Sequence, residues 1–287
     1  KQKTAYEISL GLVGSEMCIR DRHIAVGIKW VPNTEQVRFD PVKKTMIREG
    51  VESIVNPPDL NAVELALQLK DEYGGKVTVM SMGPPSAKAG LELAVSMGAD
   101  KGILISDRAF AGADTLATSY VLARAINMLG DVDLALFGEE TIDSSTGHVG
   151  PGVSVLLNWP QIAYIIRFLG YDQKRGVIRA ERRLDEGLEI VEAELPAVLT
   201  VSAGINIPRP PTLKGKLRAR RPGVIEVWYH KFMGFDPECI GLKGSPTIVK
   251  DIEIIEPPPR YGEIFDDDDP ERAAEWLIEK LKALEVL

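Results

Sequence analysis

Phe137-Gly138-Glu139-Glu140-Thr141-Ile142-Asp143-Ser144-Ser145-Thr146-Gly147-His148-Val149-Gly150-Pro151-Gly152 is the stretch whose reading decides the fold. It follows residues 132–137, an apolar run with the composition of a buried strand, and leads into Val153-Ser154-Val155-Leu156-Leu157, which reads as a helix. A loop between the carboxyl end of a strand and a helix is where open α/β sheets bind ligands. Its composition suits an anion. Glycines let main-chain N–H groups approach a ligand, Ser144, Ser145 and Thr146 add hydroxyl donors, and a helix start adds partial positive charge. The loop is therefore read as a phosphate cradle for a nucleotide. A plain Gly-rich loop with helix-capping hydroxyls fits the same spacing, and that alternative stays open here. No lysine follows the glycines as in a nucleoside-triphosphatase P-loop, and Gly-x-Gly-x-x-Gly is absent.

Upstream, Ile24-Ala25-Val26-Gly27-Ile28-Lys29-Trp30-Val31 is a near-continuous apolar run suited to a central parallel strand. Gly27 permits close approach of either a ligand or a packed helix. Lys29 is placed to meet phosphate or flavin, unless it snorkels at the surface. Asn56-Pro57-Pro58-Asp59 punctuates the chain before a helix carrying Ala62, Leu65, Ala66 and Leu69, with Asp59 or Asn61 as its cap. Strands at 77–82, 102–105 and 132–137 then alternate with helices at 87–97 and 114–128. Such alternation implies parallel strands, right-handed crossovers and helices on both faces of the sheet.

Downstream, 162–168 reads as a strand, 177–184 and 188–193 as a hairpin around Asp185-Glu186-Gly187, and 198–202 as a further buried strand. From Ile205 onward Pro208, Pro210, Pro211 and Pro222 argue against regular elements, and Lys214, Lys216, Arg218, Arg220 and Arg221 form a basic cluster on the surface. Pro257-Pro258-Pro259 reads as a stiff spacer, and Asp269-Pro270 opens a last helix with an apolar stripe at Ala273, Trp276, Leu277, Leu281 and Leu284. The expected division is a leader at 1–22, a nucleotide-binding domain at 23–204, a connecting segment at 205–250 and an arm with its helix at 251–287. Residues 1–22 lack periodicity, fail as a signal peptide and resemble translated adapter sequence, so they are set aside.

With 287 residues, 45% of them hydrophobic, the chain fills a substantial core. A net charge of -8 argues against general nucleic-acid or anionic-membrane binding, leaving proteins and small molecules as partners. Cys18 and Cys239 stand in unrelated contexts, which suits free thiols in a reducing cytosol. Three histidines, at 23, 148 and 230, do not cluster, so no metal site is expected.

Val26-Gly27-Ile28-Lys29, Asn56-Pro57, Ser81-Met82-Gly83-Pro84, Met97-Gly98-Ala99-Asp100, Gly138 with Ile142-Asp143, Asn158-Trp159-Pro160-Gln161, Leu195-Pro196-Ala197-Val198 and Asn206-x-Pro208-Arg209 occur in this order. Over residues 23–287 the chain thereby resembles the β subunits of electron transfer flavoproteins, the EtfB/FixA family. The resemblance implies a Rossmann-like α/β fold of the adenine nucleotide α-hydrolase-like type, with a parallel sheet between helices and a C-terminal arm ending in a helix. It also implies an αβ heterodimer whose α subunit carries FAD and whose β subunit holds AMP or a second FAD. Carried over by position, the nucleotide meets Gly27, Asn56, Pro57, Pro58, Asp59, Met82 and the loop made of Gly138, Thr141, Asp143, Ser144, Ser145, Thr146, Gly147, His148, Val149 and Gly150.

That loop resembles the Asp-x-x-Thr-x-x-Val-Gly-Pro pattern of bifurcating members, which bind FAD in the β subunit and take electrons from NADH. The implied partners are the α subunit, ferredoxin or flavodoxin, and a quinone oxidoreductase or acyl-CoA dehydrogenase, in a cytoplasmic protein that meets a membrane only through partner subunits. Leu213 matches the position of a partner-docking residue. No catalytic side chain is expected, because a flavin performs the redox chemistry. A conventional electron-transferring subunit with structural AMP and a non-redox nucleotide-binding module remain as alternatives.

Overall fold

The computed structural model describes residues 22–33, 38–40, 45–47, 52–247, 262–266 and 269–284. Two units divide the chain, Lys1–Val249 and Lys250–Leu287. In the first, strands and helices run β1 (His23–Gly27), β2 (Trp30–Pro32), β3 (Arg38–Asp40), β4 (Thr45–Ile47), β5 (Ser53–Val55), α1 (Pro57–Tyr73), β6 (Lys76–Met82), α2 (Lys88–Met97), β7 (Lys101–Ile105), α3 (Thr115–Leu129) and β8 (Leu134–Gly138). They continue with α4 (Val149–Leu157), β9 (Gln161–Asp172), β10 (Val177–Leu184), β11 (Gly187–Glu194), β12 (Ala197–Val201), α5 (Leu213–Ala219), β13 (Ile225–Trp228) and α6 (His230–Met233).

Nine strands form one sheet in the order β11-β10-β9-β12-β8-β1-β6-β7-β13. Every pairing from β9 to β13 is parallel, and the hairpin β10–β11 adds antiparallel strands at one edge. Alternation along β1 shows the layering: Ile24 and Val26 join a buried cluster with Val63 and Leu67 of α1 and Leu91 of α2. Ala25 joins the opposite cluster, with Val121 and Ile126 of α3 and Val153 of α4. Both faces are thus covered, as a parallel sheet requires. Burying each of these valine, leucine and isoleucine side chains contributes about 1.5–3 kcal/mol.

The apolar run 24–31 is shared between two sheets. β1 ends at Gly27, and Trp30–Pro32 pairs antiparallel with Ser53–Val55. Beyond Ile205 the prolines do not prevent regular structure, because they lie outside it. Pro208, Pro210 and Pro211 precede Thr212, whose hydroxyl caps α5 by accepting the Gly215 N–H at 3.0 Å, and Pro222 falls between α5 and β13. Neither Asp59 nor Asn61 caps α1: Pro57 and Pro58 start it after Asn56, and Asn61 donates to Asn206 at 2.8 Å.

Residues 1–21 of the expected leader lie outside the described residues. Arg22 continues β1, accepting the Lys76 N–H at 2.7 Å, and its guanidinium carbon is 3.9 Å from the centre of the Tyr171 ring. In the second unit α7 (Pro270–Ala283) is capped by the Asp269 carboxylate, and Trp276 packs on Phe265 with ring centres 5.5 Å apart. The spacer 257–259 lies outside the described residues.

His23 is buried at the start of β1, with Nδ1 2.8 Å from Asp131 Oδ1 and Nε2 2.7 Å from Thr78 Oγ1. Burial pushes its pKa below the ordinary 6.5, against the opposing pull of Asp131. Below about pH 6.5 the unfolded chain therefore binds a proton that the folded chain resists, and stability falls with pH. Comparing wild type with His23→Gln at each pH isolates this group. The wild-type advantage in Tm should shrink between about pH 7.5 and pH 5.5, and a constant difference would contradict the assignment.

Candidate functional site

β1 lies between β6 and β8. The chain leaves β1 toward β6 and β7 and then returns through α3 to β8 on the other side of β1. The carboxyl ends of β1 and β8 therefore flank the point at which strand order reverses, where an open α/β sheet leaves a crevice. Gly27, Lys29, Gly138 and the loop after it converge there with Asn56-Pro57-Pro58-Asp59 at the start of α1. Met82 ends β6 alongside them, half-buried.

Asp59 ties these segments together. Its Oδ2 accepts the Lys29 N–H at 2.7 Å and its Oδ1 accepts the Gly138 N–H at 3.0 Å. Burial pushes its carboxyl up to about 7, while the two main-chain donors and the Asn56 side chain pull the other way. Asn56, wholly buried, does the same for the next residues: Nδ2 donates to the Glu140 carbonyl at 2.8 Å, and Oδ1 accepts the Ile142 N–H at 3.1 Å. Gly138 is required by this contact, since a Cβ there would lie 2.3 Å from Asp59 Oδ1 and 2.9 Å from Pro58 Cβ. Gly27 is a packing glycine, because the ring of Phe137 fills the place of its Cβ at 2.3 Å.

The outer part of the loop is more open. Lys29 Nζ is 2.7 Å from Asp143 Oδ2. Partial burial pushes the Asp143 carboxyl up, but hydrogen bonds from Lys29 and Thr141 outweigh it and hold the group below its ordinary range. Thr141 Oγ1 and Ser144 Oγ are 2.9 Å apart, and the Thr141 carbonyl accepts the Ser145 N–H at 2.7 Å. Ser145 (φ 46°) and Gly147 (φ 64°) take left-handed conformations that turn the chain into α4. α4 starts at Val149, earlier than the expected 153, so Val149 and Gly150 form its first turn after His148. The N–H groups of Thr146, Gly147, His148, Val149 and Gly150 find no acceptor among the described residues. Unpaired donors of this kind are normal in the first turn of a helix, where the dipole also favours negative charge.

Residues 43–229 match the electron transfer flavoprotein domain. Protein FixA of Azotobacter vinelandii is 43% identical over 265 residues, spanning 90% of this chain and 94% of its own. The electron transfer flavoprotein subunit beta of Thermoanaerobacterium thermosaccharolyticum is 42% identical over 266 residues, spanning 92% of this chain and 100% of its own. The chain belongs to the electron transfer flavoprotein β-subunit (FixA) family. A third relative, the caffeyl-CoA reductase-Etf complex subunit CarD of Acetobacterium woodii, is 40% identical over 266 residues, covering 92% of this chain and 99% of its own.

As an electron transfer flavoprotein β subunit, the chain takes an electron-transfer role beside an α subunit. Leu213, singled out for partner docking, does not join the crevice: it opens α5, which packs on α2, and it is 76% exposed. Sequence reading missed other neighbours of the loop. Glu139, just after β8, accepts from the Ser202 hydroxyl and from the Ala203 N–H, and Thr200 packs against Gly150. The run 198–202 pointed only to a buried strand, and the pairing of β12, observed at Ala197–Val201, with β8 becomes visible only in the sheet order.

Asp59→Asn leaves either the Lys29 or the Gly138 N–H facing an amide nitrogen, a loss of about 1–3 kcal/mol. Because the folded pKa of about 7 lies above the unfolded 3.8, the native carboxyl keeps a proton that the unfolded chain releases, so Asp59 subtracts stability as pH rises through that window. The penalty of the substitution, measured by urea unfolding, is therefore expected to be largest near pH 5 and to diminish toward pH 7. A penalty independent of pH would contradict the raised pKa.

Proposed function

We propose that the chain is the β subunit of an electron-bifurcating electron transfer flavoprotein, holding FAD in the crevice between β1 and β8. The observation that carries this reading is the run of five unpaired N–H groups at residues 146–150, in a loop reading Asp143-x-x-Thr146-x-x-Val149-Gly150-Pro151. The residues present fit a dinucleotide. Gly150 is buried with its N–H unpaired, and the hydroxyls of Ser144, Ser145 and Thr146 stand on the exposed side of the same loop. Kinship with a subunit of a caffeyl-CoA reductase-Etf complex supports the same reading.

The flavin, when bound, would supply the redox chemistry, with NADH as hydride donor and the α-subunit FAD and ferredoxin or flavodoxin as one-electron acceptors. The protein binds and orients. The N–H groups of Thr146 to Gly150 and the loop hydroxyls would hold the diphosphate, with the Lys29 ammonium, paired to Asp143, beside them. Asn56 and Asp59 keep the loop in place from behind, and Pro57, Pro58 and Met82 would form the inner wall. Electrons pass from the α subunit to a quinone oxidoreductase or acyl-CoA dehydrogenase. α5 is the docking element: Leu213 and Leu217 are exposed one turn apart, and Arg218 anchors the helix through the Val95 and Ala99 carbonyls.

Nucleotide extraction from the co-purified αβ heterodimer tests the reading directly, with two FAD per dimer expected. One FAD with one AMP would assign the chain to the conventional type, and no nucleotide would leave a non-redox module. Thr146→Glu is the discriminating variant, since the side chain is exposed and an added carboxylate repels phosphate. It should abolish β-site nucleotide with Tm kept within a few degrees. Substitution of Gly150 is less informative, because a Cβ there would lie 2.4 Å from Thr200 Cγ2 and disturb packing by itself.

For the docking element, Leu213→Ala should lower the rate of electron delivery to the high-potential acceptor by about tenfold or more, as for a hot-spot side chain. Flavin content should not change. Parallel loss of flavin would show that α5 supports the fold of the crevice and not the acceptor.

A further inference from the structure

Ser145, Asn158 and Tyr164 are the non-glycine residues with positive φ among those described. Ser145 turns the loop and Asn158 closes α4, both positions where left-handed backbone serves a terminus. Tyr164, at φ 59°, lies inside a strand. A bulky aromatic residue is rare in that region. The parallel register explains how it arises: Leu199 pairs with Ile162 and Val201 with Ile165, so Ala163 and Tyr164 together face Thr200. This β-bulge re-aims a side chain that regular pairing would have sent elsewhere.

The re-aimed side chain reaches the loop. A Cβ added to Gly147 would lie 3.3 Å from the Tyr164 hydroxyl oxygen. Thr200 holds the arrangement from beneath, its Oγ1 accepting the Tyr164 N–H at 3.0 Å while its Cγ2 packs against Gly150. One threonine thus links the bulge to the first turn of α4. The tyrosine itself is 44% exposed, and its hydroxyl has no hydrogen-bond partner among the described residues. Neither burial nor an internal hydrogen bond accounts for its placement.

We propose that Tyr164 is a positioning residue of the crevice whose hydroxyl donates to a phosphate oxygen held at residues 146–150. The proposal rests on the nucleotide reading above and assigns that site's preference for phosphorylated ligands. A phenol is neutral at physiological pH and is both donor and acceptor, so it adds a directed bond to an anion without adding charge. A nucleoside lacking phosphate gains nothing from it.

The test uses the full chain with its α subunit, stripped of β-site nucleotide and titrated by calorimetry with ADP and with adenosine. A hydrogen bond to a charged oxygen corresponds to a loss of about tenfold in affinity when removed. Tyr164→Phe, which keeps the ring, should bind ADP about tenfold more weakly and adenosine as well as the wild type does. Tyr164→Gly, which keeps the left-handed backbone without strain but removes the hydroxyl, should lose ADP affinity to the same extent or more. Unchanged ADP affinity in Tyr164→Phe, or equal loss for both ligands, would overturn the assignment and leave the crevice reading intact. Failure of the wild type itself to bind ADP would overturn both.

Discussion

A buried carboxylate holds the end of the sheet together. At the carboxyl ends of β1 and β8 the chain departs in different directions, so the N–H groups of Lys29 and Gly138 have no strand to pair with. Asp59 accepts both. Taking a carboxylate out of water costs several kcal/mol, which is why its pKa rises to about 7. Two main-chain donors and the positive end of α1 offset that cost. The arrangement also constrains sequence nearby. Gly138 is imposed by the carboxylate itself, and Gly27 by the ring of Phe137, the residue before Gly138.

From this junction outward the loop changes character. Its inner part, residues 138–142, is held by Asp59 and Asn56, both buried side chains bonded to main chain. Its outer part, 143–150, is held mainly by its own turns and by the exposed pair Lys29–Asp143. An exposed ion pair contributes little to stability, commonly under about 1 kcal/mol. The loop therefore has a fixed base and a less constrained rim at 143–146, beyond which its unpaired N–H groups run into the first turn of α4.

Much of this was legible in the sequence, for reasons of chemistry. Alternating apolar runs and 3.6-residue stripes gave the βα order, and the order placed the Gly-rich loop at a strand end. What escaped depends on pairing. The run 24–31 looks like one strand because apolar character does not record that Gly27 ends one sheet and Trp30 enters another. The prolines after Ile205 obscured α5 and β13, although prolines outside an element limit its length without forbidding it. Asp59 was read both as a cap and, from the resemblance, as a nucleotide contact. Which main-chain groups it accepts follows from the approach of β8, about 80 residues away. Tyr164 was invisible for the same reason, since a bulge is a property of register.

The electrostatics of the rim follow from the same economy of charge. A chain of net charge -8 draws anions to one place only if local donors outweigh the surrounding field. Lys29 does not do this alone, because Asp143 takes its charge at 2.7 Å. Main-chain N–H groups remain, and they differ from lysines in two respects: their positions are fixed by the fold, and their strength does not depend on pH. An anion site built from them selects by shape and by the number of oxygens presented, where a cluster of cations would accept any anion that reached it. Neutral hydroxyls at Ser144, Ser145 and Thr146 extend that logic, adding donors that reorient without attracting the bulk anions that a basic patch would gather.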